Sequence, residues 1–437
     1  MTGDPTKPQG LHPNVKIRLG MQFALGLTTN MVTPFLAIYF ATQVGLTMTG
    51  VMVITVTIAG MLGGLIGGAL SDRWGRRKWM LLSEGAMSVT WLVVAWMNSP
   101  WARSLYGTFF AMLINLFFAG SMEPTVQAMI LDVSPAIIRK RIYFLSYWLK
   151  NLSMAVGVSL GGFLFLTHRF ALMSCVAAAT LMSLGTTIIL LKETHDGLSP
   201  RVRLGQSASA VAMGMLQSEV VQIYHQYKIV AKNRVFLVLT GSAVLLNGLE
   251  NQLPNYIGIR LSTAMTPTKI MQVGSYSVSV KGIAMVGLLQ AENTVLVVLF
   301  VGLLAYLTRK LKNSQSILVG VVLYTLGYAV LGASLSPWVL FIAMFTITIG
   351  ELLYSPVRQV YLAELVPDNA RGAYYALYQL NAQLATLLGG AFILVARVLP
   401  SWGIPFLYVA MGAGGMGSLV YVLRMRAHRA ERQMVHL

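Results

Sequence analysis

The sequence predicts an all-α membrane protein of twelve transmembrane helices in two six-helix repeats. Three observations point there: an apolar composition, apolar blocks of bilayer length, and a register of special residues that recurs a half-chain later. Of 437 residues, 56% are hydrophobic and only 11% charged. The mean hydropathy is +0.68. Soluble domains carry about 25% charged residues, and they do not expose apolar patches as large as this composition would leave.

A helix needs about 20 apolar residues to cross the hydrocarbon core. Blocks of that size fall at 17–41, 48–70, 79–98, 104–131, 144–166, 170–191, 234–257, 290–308, 315–334, 337–363, 374–398 and 402–424. Long strands of alternating polarity are absent from the sequence, which argues against a β-barrel. In lipid a helix satisfies its backbone within its own segment.

The formal net charge is +18, a value that in a soluble chain would suggest nucleic acid. Its placement says otherwise. With the first residue inside, the basic residues crowd one side of the membrane. They include Lys16 and Arg18; Arg73, Arg76, Arg77 and Lys78; Arg139, Lys140 and Arg141; Arg309, Lys310 and Lys312; and Arg424, Arg426, Arg429 and Arg432. The opposite side keeps Arg103, Arg169, Arg260, Lys269, Lys281 and Arg397. This is the positive-inside pattern. It predicts a multi-pass protein of the plasma membrane with both termini cytoplasmic, lipids as partners and no nucleic acid. The opening MTGDPTKPQGLHPNVK is polar and reads as a cytoplasmic tail, not a cleaved signal. Cys175 is the single cysteine, so no intramolecular disulfide forms. The six histidines lack metal-ligand spacing. No metal and no cofactor are expected, and a monomer is.

A polar stretch at 192–232, containing KETHDGLSPRVRLGQ, divides the pattern. It reads as a cytoplasmic linker between bundles at 1–191 and 233–437. A second irregular stretch, 258–289, reads as amphiphilic, either lengthening the eighth span or lying at the interface. A shift of 232 residues superposes the halves. Pro124 meets Pro356, Gln127 meets Gln359, Asp132 meets Glu364, Pro135 meets Pro367, Arg139 meets Arg371, Tyr143 meets Tyr375 and Gly157 meets Gly389. Such parallel repeats are a transporter architecture, with the site between the halves.

The loop after the second span reads GGALSDRWGRRK, with Gly68, Asp72, Arg73, Gly75, Arg76 and Arg77 in fixed spacing. Gly68 lets helices approach, and Gly75 suits a turn of positive φ. Asp72 can cap a helix or meet a guanidinium, and Arg76 and Arg77 can reach Asp132 at the end of the fourth span. Arg139 follows in the next loop. Ion pairs made in one state and broken in another form a conformational latch. At this loop the chain resembles the major facilitator superfamily, over its whole length.

Charges inside the membrane cost at least about 2.5–3.5 kcal/mol each, so they need a partner, water or a proton. The candidates are Glu84, Glu123, Lys150, Glu250, Glu351 and Arg358. Glu250 lies in GLENQLP beside Asn247 and Asn251, and Glu351 lies mid-span in TIGELLYSP. An acid there can exchange protons with water that reaches it, or hold a cationic substrate; competition between the two uses is a route to antiport. Arg358 stands two turns beyond Glu351, able to answer it or Glu364. Glu123 and Lys150 lie at matched depth and are expected to pair. In the fifth span, Ser153, Gly157 and Gly161 give small-residue spacing for close packing.

Within the superfamily the chain looks most like LmrP-type multidrug:proton antiporters. The carrying stretches are AMILDVSPAIIRK, SYWLKNLSMAVG, GLENQLP and the run around GELLYSP. The resemblance implies that Glu250 and Glu351 serve cation binding and proton coupling. Departures stand at Ser146, where that type has an acid, and at Asn115, near where many drug antiporters have arginine.

The expected function is proton-driven export of small amphipathic or cationic compounds by alternating access, without enzymatic chemistry, because no nucleophile–base or metal constellation appears. Alternatives are proton-coupled uptake, flipping of a lipid-like solute, or a transporter-like fold serving as a sensor or assembly protein.

Overall fold

The computed structural model describes residues 11–134, 136–194, 232–273, 276–307, 312–366, 371–400 and 402–435. The helices are α1 (Pro13–Asn30), α2 (Thr33–Trp74), α3 (Arg76–Trp96), α4 (Leu105–Asp132), α5 (Ala136–Leu164), α6 (Arg169–Ile189), α7 (Arg234–Glu250), α8 (Gly258–Ala264), α9 (Gly282–Leu307), α10 (Asn313–Ala333), α11 (Pro337–Leu365), α12 (Arg371–Val395) and α13 (Gly403–Val435). A π-helical turn, Leu253–Ile257, joins α7 to α8, and a hairpin of β1 (Thr268–Val273) and β2 (Tyr276–Val280) precedes α9. The chain divides into two compact units. Unit 1 is Met1–Pro34 with Thr55–Ser199; unit 2 is Phe35–Ile54 with Pro200–Leu437.

Among the described residues, eight helical stretches are long and apolar enough to cross a membrane. One of them, Pro13–Gly68, has 56 residues. A straight helix the length of α2, 42 residues, would run about 63 Å, twice the hydrocarbon thickness. Gly45 breaks it, at φ 76° and ψ 174°. A side chain there would be strained, so glycine is what allows the reversal. Gly75, at φ 99°, ends α2 and opens α3 in the same way.

Large apolar side chains face outward along these helices. Leu65, Phe110, Leu299 and Ile342 are each more than half exposed, as lipid contact requires. Tryptophans cluster at helix ends: Trp96 stacks on Trp101 at 6.0 Å, and Trp101 meets Phe170 edge-on at 5.9 Å. In unit 2 Trp402 meets Phe406 at 6.3 Å. Aromatic rings favour the lipid headgroup level.

Two expectations shift. The fifth span begins at Ala136, so the basic run 139–141 lies in its first turns and not in a loop. The last part of the stretch 258–289 lengthens the eighth span, and the rest forms other elements. Helix ends at Ala264, an antiparallel hairpin follows, and α9 starts at Gly282, eight residues before the predicted 290. Alternating Thr, Ser and Val around Gly274 favour strands over helix.

Unit 1 packs backbone to backbone. A Cβ on Gly63 would overlap the Phe117 carbonyl, and one on Gly120 would overlap the Gly60 carbonyl. Gly157 of α5 leaves room for the Leu27 carbonyl, which a Cβ would approach to 2.5 Å. In unit 2 Gly350 holds α11 against α10, where a Cβ would lie 2.6 Å from the Gly320 carbonyl. Small residues let dispersion do the work that hydrophobicity cannot do in lipid.

A buried ion pair ties three helices of unit 1. Arg18 and Glu84 are 3% and 2% exposed, with Nη1 2.9 Å from Oε1. Arg18 Nη2 also donates to Thr187 Oγ1 at 3.0 Å, and Ser183 Oγ donates to Glu84 Oε1 at 2.7 Å. Sequence reading placed Arg18 among the loop cations; the fold instead draws it inward from α1 to α3 and α6.

Two substitutions test this packing by thermal unfolding in detergent. Gly63→Leu is expected to lose about 1–3 kcal/mol or more, whereas Gly185→Ala, which meets nothing within 4 Å, leaves the midpoint unchanged. Arg18→Met alone is expected to cost about 3–5 kcal/mol by stranding Glu84, and Arg18→Met with Glu84→Leu recovers most of that loss.

Candidate functional site

The polar side chains that sequence reading singled out fall into three clusters, each inside one unit. In unit 2 the first cluster joins α7, α9, α11 and α12. Asn247 sits on α7, three residues before its end. Its Oδ1 accepts from Arg358 Nη1 and Nη2 at 3.3 and 3.4 Å. Its Nδ2 donates to Asn381 Oδ1 at 2.6 Å, and Asn381 Nδ2 donates to the Tyr378 carbonyl. Asn251, one turn on, donates to the Asn247 carbonyl at 2.9 Å and accepts from Thr386 Oγ1 at 3.3 Å. α7 ends at Glu250, just before Pro254 within the π-turn, where a missing N–H loosens the ladder.

Arg358 is 5% exposed. Its guanidinium lies 5.3 Å from the Tyr354 ring centroid, a cation–π contact. It therefore turns to an amide and an aromatic face instead of closing an ion pair with Glu351 or Glu364. It nonetheless interacts electrostatically with both Glu351 and Glu250. Both carboxylates also act on Tyr324, Tyr328 and Tyr354, whose rings contact edge-on at 4.9 and 5.1 Å. Glu351 is partly buried and its Oε2 accepts from Asn293 Nδ2 at 3.2 Å; Asn293 also donates to Thr348 Oγ1 at 3.0 Å. Glu250 is exposed. One buried cation thus stands within electrostatic reach of two carboxylates, on a frame of amides and phenol rings.

Sequence reading missed Asn293, Asn381 and the three tyrosines. It also missed Glu292, whose Oε2 is buried without a hydrogen-bond partner among the described residues. The signal was the Glu292–Asn293 pair in an otherwise apolar run. The pair lies ten residues inside α9.

The second cluster lines a cavity of about 230 Å³ in unit 1, between α1, α3 and α4. Arg18, Gln22, Glu123 and Gln127 supply its polar atoms, and Met21, Leu25, Met87 and Met122 its apolar wall. Glu123 Oε1 accepts from Gln127 Nε2 at 3.3 Å, a contact of residues one turn apart. The expected Glu123–Lys150 ion pair does not form among the described residues. Glu123 is answered within its own helix, and Lys150 is exposed on α5. Ser146 donates to Gln22 Oε1 at 2.7 Å, an uncharged contact.

The third cluster is the loop of α2 and α3. Arg76 Nε lies 3.4 Å from Asp132 Oδ2. Arg76 Nη1 donates to Ser71 Oγ at 2.9 Å. Arg77 reaches the end of α6, donating to the Thr187 and Ile188 carbonyls at 3.3 and 2.7 Å, where a cation offsets the helix dipole. Glu193 accepts from the Arg77 backbone N–H at 3.1 Å, and Thr194 Oγ1 donates to Asp132 Oδ2 at 3.2 Å. These two linker residues were not foreseen, because nothing local marks them. Gly68 lies opposite Pro124. The side chains of Asp72, Arg73 and Arg139, and the linker over 195–231, lie outside the described residues.

Comparison with known proteins agrees with this arrangement. The family model of the Major Facilitator Superfamily matches residues 19–390. A Na(+), Li(+), K(+)/H(+) antiporter of Planococcus maritimus is 28% identical over 401 residues, covering 92% of each chain. A multidrug resistance protein, MdtH, of Edwardsiella ictaluri is 23% identical over 75% of this chain and 71% of its own. Among solved structures, a peptide transporter POT in complex with sulfate shares the fold at TM-score 0.69 and 16% identity, over 98% of this chain and 96% of its own. With its helical architecture, this chain belongs to the Major Facilitator Superfamily, and it is a transporter, not an enzyme.

Proposed function

We propose that the chain is a proton-coupled antiporter that exports amphipathic, cationic drug-like compounds by alternating access. The observation that supports this best is the buried Arg358 within electrostatic reach of Glu351 and Glu250, its own hydrogen bonds going to Asn247. The Glu351 carboxylate, partly buried and held by Asn293, brings a negative charge to this frame. That charge can be met by a proton or by a cationic solute, and each displaces the other. Asn293 orients the Glu351 carboxylate, and Asn247, braced by Asn381, holds the guanidinium in place. Asn251 completes the amide frame.

In this reading the chain crosses the plasma membrane twelve times, as two six-helix halves over 1–191 and 233–437 joined by a cytoplasmic linker. It acts as a monomer with both termini cytoplasmic. Each half-cycle exposes the acids to one side. Proton entry neutralises that charge and favours reorientation; release on the other side restores the solute's partner. Per elementary charge, about 2.3 kcal/mol is available for each 100 mV if net charge moves. The pair Arg76–Asp132, with Gly68, Asp72, Arg73, Gly75, Arg77 and Arg139 around it, acts as a latch whose ion pairs bias the two orientations.

A second reading, exchange of alkali cations for protons, draws support from the relative named as a Na(+), Li(+), K(+)/H(+) antiporter. The same carboxylates and amide oxygens would hold a small hard cation.

Proteoliposomes with an imposed pH gradient separate these readings. Wild-type protein is expected to drive ethidium uphill, and Glu351→Gln to lose at least about tenfold of that rate, since neutralisation removes the exchangeable charge. Ethidium transport unaffected by Glu351→Gln sinks the coupling role; proton release on adding Na(+) or K(+) but never on adding ethidium selects the second reading. For the latch, Asp132→Asn is expected to redistribute spin-label distances between the inner ends of the halves. An unchanged distribution would rule the latch out.

A further inference from the structure

We propose that the cavity of unit 1 is itself a binding site for a monovalent organic cation, with Glu123 as the counter-charge and the methionine wall as the seat for its apolar body. This deepens the export reading, on which it rests for direction of transport. It adds a second place that holds the solute, apart from the Glu351 carboxylate where solute and proton exchange.

The charge balance of the cavity carries the argument. Its charged groups among the described residues are Arg18, lining it, Glu84, paired to Arg18, and Glu123, at its wall. Arg18 is committed: Nη1 is bound to Glu84, and Nη2 to Thr187 and the Met80 sulfur. It cannot also neutralise Glu123. Among the described residues Glu123 accepts only from the neutral amide of Gln127, and the cation once expected for it, Lys150, does not line the cavity. The site therefore holds one negative charge in excess.

The wall says what kind of cation fits. Met21, Met87 and Met122, from three helices, face the space with Leu25 and Val126. Thioethers are polarisable and adapt to flat or irregular apolar shapes. A bare alkali ion would find one carboxylate and mostly sulfur and carbon, a poor exchange for its water shell. An aryl or alkyl ammonium finds both of its needs met. The guest so described has an ammonium at one end and an apolar body.

The test is equilibrium binding by calorimetry on the purified full-length protein in detergent, without any gradient. The probe is 4-acetylphenyl-trimethylammonium, which has both features. Its neutral analogue, 4-tert-butylacetophenone, reports on the wall alone. Wild type is expected to prefer the cation, and Glu123→Gln to weaken it about tenfold while leaving the neutral analogue unchanged. Ala119→Phe, which fills the cavity but keeps the charge, is expected to weaken both probes. The proposal is overturned if wild type does not bind the cation, or if Glu123→Gln binds it as wild type does. Export surviving in Glu351→Gln would instead count against the coupling role, so the two failures are told apart.

Discussion

Every charged side chain in these helices must find within the protein the partners that bilayer hydrocarbon withholds, and the polar architecture follows from that requirement. Arg18 is the simplest case. It is buried beside Glu84 and further satisfied by Thr187, so one contact fastens α1, α3 and α6. Arg358 solves the same problem differently. It has no carboxylate within ion-pair distance among the described residues and instead leans on Asn247 and the Tyr354 ring. The first arrangement closes a charge pair. The second leaves Glu351 attracted to a cation whose hydrogen bonds go to Asn247.

That difference divides structural from functional charge. A closed buried pair resists protonation and substitution, and removing one partner strands the other. An open one has charge to exchange. The same distinction holds for Glu123, whose neighbour Gln127 offers a hydrogen bond but no charge.

The loop network joins these elements to the end of the first unit. Arg77 closes the carbonyl end of α6, whose Thr187 side chain also receives Arg18. Glu193 and Thr194 bring the start of the linker onto the first turn of α3 and onto Asp132. A buried ion pair, a helix end and a loop thus form one continuous set of hydrogen bonds.

The sequence by itself determined the membrane class, the helical blocks, the repeat and the family, because bilayer length and the energetic cost of charge in lipid act on local composition. It also named Glu250, Glu351, Arg358, Arg76 and Asp132, since polar residues in apolar runs stand out. Only the tertiary structure decided which charges meet. Arg18 looked like a loop cation until helix packing drew it to Glu84, and Glu123 looked like a partner for Lys150 until its own helix answered it. The helix that carries Glu292 and Asn293 begins eight residues before the predicted 290. Pairing depends on helix rotation and on which glycine faces which carbonyl, as at Gly63 and Phe117. Those are distances between segments far apart in the chain, and no local pattern encodes them.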